Sequence, residues 1–157
     1  MIEDLAFIGQ IAIKSSIAVL LATLGEIVTE RSGVLNLGVE GMMLVGALCG
    51  VAAGVATGNP ILAAAAGALA GGLLALMHGF FAITLQVNQV LSGLALTILG
   101  LGITSFLGRP LIGMRPGVRL QAVPIPGLAD IPVIGDIFFR QSMLAYLAYL
   151  LVPLCWI

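Results

Sequence analysis

The sequence predicts an all-α fold, a polytopic transmembrane helix bundle with about five spans, and three observations predict it. Of the 157 residues, 61% are hydrophobic and only 8% are charged. Residues 41 to 108 contain no Asp, Glu, Lys or Arg, and the mean hydropathy is +1.21. A water-soluble domain needs a charged surface, whereas a protein dissolved in lipid does not. The net charge of −1 offers no basic face to a phosphate backbone, which sets nucleic acid aside as a partner. Cys49 and Cys155 lie in apolar runs and read as small buried hydrophobes rather than a disulfide framework. Glu3 and Asp4 are the opposite of the basic start of a signal peptide.

The first apolar segment covers residues 5 to 28 and is interrupted by Gln10, Lys14, Ser15 and Ser16. Its uninterrupted part is shorter than the roughly 20 residues that a hydrocarbon core requires. Either one tilted helix carries Lys14 to an interface by snorkelling, or residues 2 to 13 lie along the surface. One tilted span from near Leu5 is the preferred reading.

The second span is placed at 34–57. Gly46, Gly50, Gly54 and Gly58 fall four apart along it, a bare stripe on one helix face. In lipid such stripes let two backbones approach, so Gly46, Gly50 and Gly54 are expected to pack against another helix. Asn59-Pro60 then offers a cap and a first-turn proline to a third span at 61–85. Gln86, Asn88 and Gln89 mark a tight turn before a fourth span at 90–107. Residues 109–140 hold five of the seven prolines and four arginines, and read as a loop. Ile125 to Phe139 is too apolar for free solvation and is expected to fold back on the membrane surface or the helix ends. A fifth span at 141–157, with Pro153 inside it, reads as a helix cut off in the middle. An N-terminal fragment of a longer permease domain is the expectation for residues 1–157.

These spans surround Glu30-Arg-Ser-Gly-Val-Leu-Asn-Leu-Gly-Val-Glu-Gly-Met-Met43, which holds three of the thirteen charges and three glycines. Charge and breakable backbone at membrane depth are costly unless they face protein or a polar path. A polar turn at the surface accounts for Glu30 and Arg31. Asn36 and Glu40, four apart, would share a helix face and turn either to an internal path or to an outer surface. The expectation taken forward is an interrupted helix over 30–41, with both side chains turned inward.

Other motifs fall away on inspection. Gly9 to Ser15 lacks the second glycine of a phosphate loop, and Gly100-Leu-Gly102 lies inside a span rather than after a strand. His78 has no second histidine for a metal, and reads as a hydrogen-bonded histidine near a span end. Ser92 and Ser105 show no spacing that suggests a hydrolase. No catalytic residue, metal or cofactor is expected.

Residues 30–47, together with Val90 to Leu107 and Ile125 to Phe139, resemble the permeases of ABC transporters of the branched-chain amino acid and simple-sugar class. They are most similar to the nucleoside (guanosine-type) members. The resemblance covers essentially the whole chain. It implies a permease subunit that pairs with a second permease subunit and takes solute from an extracellular solute-binding protein. Cytoplasmic ATP-binding subunits would drive it, so ATP hydrolysis belongs to another chain. It also implies the bacterial inner membrane and alternating access. Translocation-path candidates are then Asn36, Glu40, Gln86, Asn88, Gln89 and Ser92. The resemblance puts loop 109–140 outside the cell, although Arg109, Arg115, Arg119 and Arg140 would favour the cytoplasm by the positive-inside rule. Alternatives are a permease for sugars or branched-chain amino acids, and a structural membrane subunit that moves nothing.

Overall fold

A computed structural model describes residues 2–114, 117 and 120–156. Arg115 and Arg119, two of the four arginines that bear on orientation, lie outside the described residues. The helices are α1 (Ile2–Arg31), α2 (Val39–Thr57), α3 (Pro60–Gly79), α4 (Gln89–Leu107), α5 (Ile134–Phe138) and α6 (Met143–Trp156). A wide π turn, Phe80–Thr84, extends α3, and a short 3-10 turn, Arg109–Leu111, follows α4. Among the described residues, four helical stretches are long and apolar enough to cross a membrane: Ala6–Arg31, Val39–Thr57, Pro60–Thr84 and Gln89–Leu107. Met143–Cys155 is a shorter apolar helix. Two compact units divide the chain: Met1–Ile27 with Leu120–Ile157, and Val28–Arg119.

Several expected boundaries move. The helix expected from residue 34 begins at Val39, because α1 closes on a left-handed glycine and the chain stays irregular to Gly38. Gly33 has φ +81°, its N–H donates to Glu30 O (2.9 Å), and the Val34 N–H donates to Thr29 O (3.0 Å). That pair of bonds is a Schellman cap, which only a residue tolerant of positive φ allows. The 109–140 segment is less of a loop than expected. It carries the strand β1 (Ala122–Pro124) and α5, and its last residue opens β2 (Arg140–Ser142). Gln141, expected to open the fifth span, instead pairs with Val123 in this antiparallel hairpin, and α6 starts two residues later.

In the second unit, α2 runs antiparallel to α3. Gly46 stands against Gly67 and Gly50 against Ala63, and the Met42 carbonyl lies toward Gly71. A Cβ added to Gly46 would lie 3.0 Å from Gly67 O, and one at Gly50 would lie 3.2 Å from Ala63 O. Gly54 is buried. The α2 helix ends at Gly58 in the left-handed conformation (φ 64°), whose N–H donates to Gly54 O at 3.0 Å. Asn59 then caps α3, its Oδ1 accepting from Ile61 N (2.9 Å) and Leu62 N (3.3 Å), with Pro60 in the first turn. The other neighbour of α2 is α4, which runs parallel to it and meets it where Gly41 faces Gly100.

In the first unit, Ile17 of α1 packs against Ala145 and Ala148 of α6. The Tyr146 hydroxyl reaches Val123 O (2.7 Å) and Phe139 O (2.8 Å) and accepts from Gln141 N (3.2 Å). Fully buried Gln141 donates from Nε2 to Ile137 O at 2.6 Å. One tyrosine and one glutamine thus tie β1, α5, β2 and α6 together.

Candidate functional site

The candidate site is the break between α1 and α2, residues 32–38, lying against α3 and α4. The irregular stretch leaves backbone N–H and C=O groups without helical partners, each costly when left unpaired. Side chains from elsewhere meet them. Gln89 accepts from Leu35 N through Oε1 (2.7 Å) and donates from Nε2 to Gly33 O (3.4 Å). The His78 Nε2 lies 3.1 Å from Leu35 O, and its Nδ1 lies 3.1 Å from Ser92 Oγ. Thr97 Oγ1 donates to Leu37 O (3.1 Å).

A carbonyl oxygen can only accept, so the His78 Nε2 donates to Leu35 O. Its Nδ1 meets the Ser92 hydroxyl, and both ring nitrogens have a partner. His78 is 2% exposed and Ser92 is 8% exposed. A buried imidazole without partners would be a liability; here it pins α3 to both the break and α4.

Close approach makes these bonds possible. A Cβ on Gly93 would fall 2.8 Å from Leu37 N, and one on Gly41 would fall 2.5 Å from Leu96 O. One on Gly100 would sit 2.6 Å from Gly41 Cα. A side chain at Gly93 would push α4 off the break, and one at Gly41 or Gly100 would push it off α2.

The six polar residues singled out from the sequence take different places. Asn36 is buried, and its Oδ1 accepts from Gly38 N (3.0 Å), an Asx-type turn leading into α2. Its Nδ2 points at Met42 Sδ (3.6 Å). Glu40 lies in the first turn of α2 and is exposed. Because Asn36 precedes the helix, the two residues do not share a helix face, and the inward orientation expected for both is seen for Asn36 alone. Asn88 caps α4, accepting from Val90 N (3.0 Å) and Leu91 N (3.2 Å). Gln86 is exposed in a left-handed conformation, φ 50°. Gln89 holds the break directly, and Ser92 holds the His78 that meets it.

The sequence reading missed His78, Thr97, Gly93 and Gly100 as parts of this assembly. The available signal was His78 itself, the one ionisable side chain of its kind in a 68-residue stretch without Asp, Glu, Lys or Arg. Beside the assembly lies a cleft of about 380 Å³ between the end of α3 and α4, walled by Met77, Phe81, Leu91 and Leu99, with Ser92 as its polar point. Among the described residues, no group of three His, Cys, Asp or Glu could hold a metal ion.

The family model described as "Branched-chain amino acid transport system / permease component" matches residues 7–157. The chain belongs to that permease family. It is 46% identical over 147 residues to the Haloferax volcanii permease protein TsgC13, named for glucose ABC transport, covering 92% of this chain and 45% of the relative. It is 34% identical over 166 residues to the guanosine ABC transporter permease protein NupQ of Bacillus subtilis, covering 99% of this chain and 51% of the relative. The nucleoside ABC transporter permease protein NupC of Lactococcus lactis is 30% identical over 153 residues, with 90% of this chain and 48% of the relative covered. The chain therefore spans about half the length of the curated relatives it matches. No solved structure gives a significant match.

Proposed function

We propose that the chain forms part of a permease subunit of an ABC importer that moves nucleosides, or a related small solute, across the cell's inner membrane. Transport runs by alternating access driven by ATP. The permease itself is no enzyme. Cytoplasmic ATP-binding subunits hydrolyse ATP, an extracellular solute-binding protein delivers the solute, and a second permease subunit completes the path.

The observation that carries this reading is the family match over residues 7–157. The broken backbone at 32–38 agrees with it physically. Its polar groups are met by Gln89, His78 and Thr97, so the break is a rigid scaffold and not a set of open donors waiting for solute. Within the proposed path, Glu40, Gln86 and Asn88 are exposed, Asn88 with its Oδ1 already engaged in capping α4. Asn36, Gln89 and Ser92 set the shape of the wall. A neutral, hydroxyl-rich nucleoside needs many weak hydrogen-bonding groups rather than one fixed charge.

Nucleosides are favoured by the names of two relatives, at 34% and 30% identity. A second reading, a glucose-like sugar, is favoured by the 46% identity to TsgC13. Both solute classes present a ring of hydroxyls. Radiolabelled uptake by the complete complex, competed with uridine, guanosine, glucose, ribose and leucine, separates them. Competition by the two nucleosides is expected. Competition by glucose alone selects the second reading, and competition by leucine alone overturns both.

A further inference from the structure

The α1 helix is 30 residues long, about 45 Å at 1.5 Å per residue, whereas a hydrocarbon core is about 30 Å thick. Upright, α1 would leave roughly ten residues outside the core, and tilt brings more of them in. What packs against its N-terminal half locates the boundary at that end. Gly9 abuts Ile137, where an added Cβ would fall 2.9 Å from Cδ1, and Gln10 Nε2 donates to Asp136 O at 3.2 Å. The elements that make these contacts carry irregular backbone and the Arg140–Asp136 ion pair (3.0 Å), which lipid does not tolerate. The first turns of α1 thus lie at the membrane–water boundary, and Lys14 follows one turn after Gln10. The α6 helix starts at the same level, immediately after Ser142, with Ala145 and Ala148 against Ile17.

A groove of about 390 Å³ opens at this boundary. Along α1 its lining runs Lys14, Ile17, Ala18, Leu21, with Ser142 and Leu144 contributed by the hairpin and α6. The cation and the hydroxyl stand at the watery end, and the apolar wall runs inward. Lys14 is exposed and has no carboxylate partner among the described residues.

We propose that this groove binds an anionic phospholipid, its phosphate on the Lys14 ammonium and the Ser142 hydroxyl and an acyl chain along Ile17, Ala18, Leu21 and Leu144. Charge complementarity selects an anion. The apolar wall below the cation selects a lipid over free phosphate. A compact ammonium with three donors is suited to a phosphate oxygen, and its four-carbon stem covers the apolar wall on the way. The proposal is independent of which solute the permease carries.

The test uses the full-length permease, delipidated in detergent and offered phosphatidylglycerol, phosphatidylcholine or inorganic phosphate, with bound lipid counted by native mass spectrometry. The unaltered protein should retain phosphatidylglycerol about fivefold more than phosphatidylcholine, the worth of one basic residue at an anionic membrane surface. Lys14→Gln should abolish that preference, and Lys14→Arg should keep it. Ala18→Trp should fill the groove and lower phosphatidylglycerol retention with the cation intact, which keeps the test decisive should Lys14→Gln fail to fold. Equal preference in the unaltered protein and Lys14→Gln overturns the proposal, as does full retention in Ala18→Trp. Displacement of the lipid by an equal concentration of inorganic phosphate overturns the assignment to lipid.

Discussion

The α2 helix touches its two neighbours in different ways. Against α3 the contact is bare: Gly46 and Gly50 meet Gly67 and Ala63 backbone to backbone. Against α4 the approach is closer still, with Gly41 on Gly100, and it is accompanied by side-chain bonds from Gln89 and Thr97 of α4 to the preceding break. The first contact carries dispersion alone along its stripe, and its register is held at the ends, by the Gly58–Asn59 turn and by His78 Nε2 on Leu35 O. The second is fixed in register, because each bond has one carbonyl or N–H to reach. Glycine supplies the proximity in both; the register is held by two α4 side chains in one, and by the connecting turn and His78 in the other.

The largest expected effect follows from the tighter contact. Gly41→Leu places a Cβ 2.5 Å from Leu96 O and 2.7 Å from Thr97 Cα, where backbone must move. A loss of about 3 kcal/mol or more is expected, read as a collapse of thermal stability in detergent. Stability within 1 kcal/mol of the unaltered protein would show that α4 can shift freely, and the two contacts would then be alike.

A smaller loss is expected at Gly50→Leu, where the nearest atom to a Cβ is Ala63 O at 3.2 Å. About 1–2 kcal/mol and a lower yield of assembled protein should follow. Unchanged yield and stability would mean that α3 yields easily and that the stripe contributes little.

His78→Ala strands the Leu35 carbonyl and the Ser92 hydroxyl, at about 1–3 kcal/mol for buried polar groups left unpaired. Hydrogen exchange at residues 33–38 should rise while exchange across Gly46–Gly67 stays slow. Equal loosening of both contacts would argue against separate roles. Glu40→Gln is the smallest: the side chain is exposed, so stability should hold within about 0.5 kcal/mol while uptake by the complete complex changes rate. Unaltered uptake would remove Glu40 from the path.

The bare contact was more legible in the sequence than the fixed one. Glycines four apart put their signal in a single short window, and Asn59-Pro60 announces its cap in two adjacent residues. Pattern reasoning works wherever partners lie within a few turns. The bonds of the break join residues far apart in sequence: Leu35 to Gln89 spans 54 positions, and Leu37 to Thr97 spans 60. Nothing local says that the carbonyls of a Gly-rich break will be met by a particular histidine and threonine, because only the docking of α3 and α4 brings them there. Polarity alone marked Gln89 and Ser92, without the groups they reach. The start of α2 was misplaced for a related reason. Val34 to Leu37 is apolar enough to read as helix, and the Schellman cap at Gly33 outweighed that hydropathy.

The π turn at the end of α3 bears on insertions and deletions. From Phe80 to Thr84 the backbone closes through a five-residue step, with the Leu85 N–H donating to Phe80 O at 3.1 Å. Such a turn absorbs one residue more than an α-helix would, within a single winding. Losing one residue there would return the segment to ordinary α-helical pitch, leaving Met42, Gly46 and Gly50 opposite the same partners upstream. Losing one residue inside α4 between Gly93 and Gly100 would turn one of those glycines by about 100° relative to the other, and a bulkier neighbour would face Gly41 or Leu37 in its place. Length variation among kindred chains should therefore collect at residues 80–84 and stay out of 93–100.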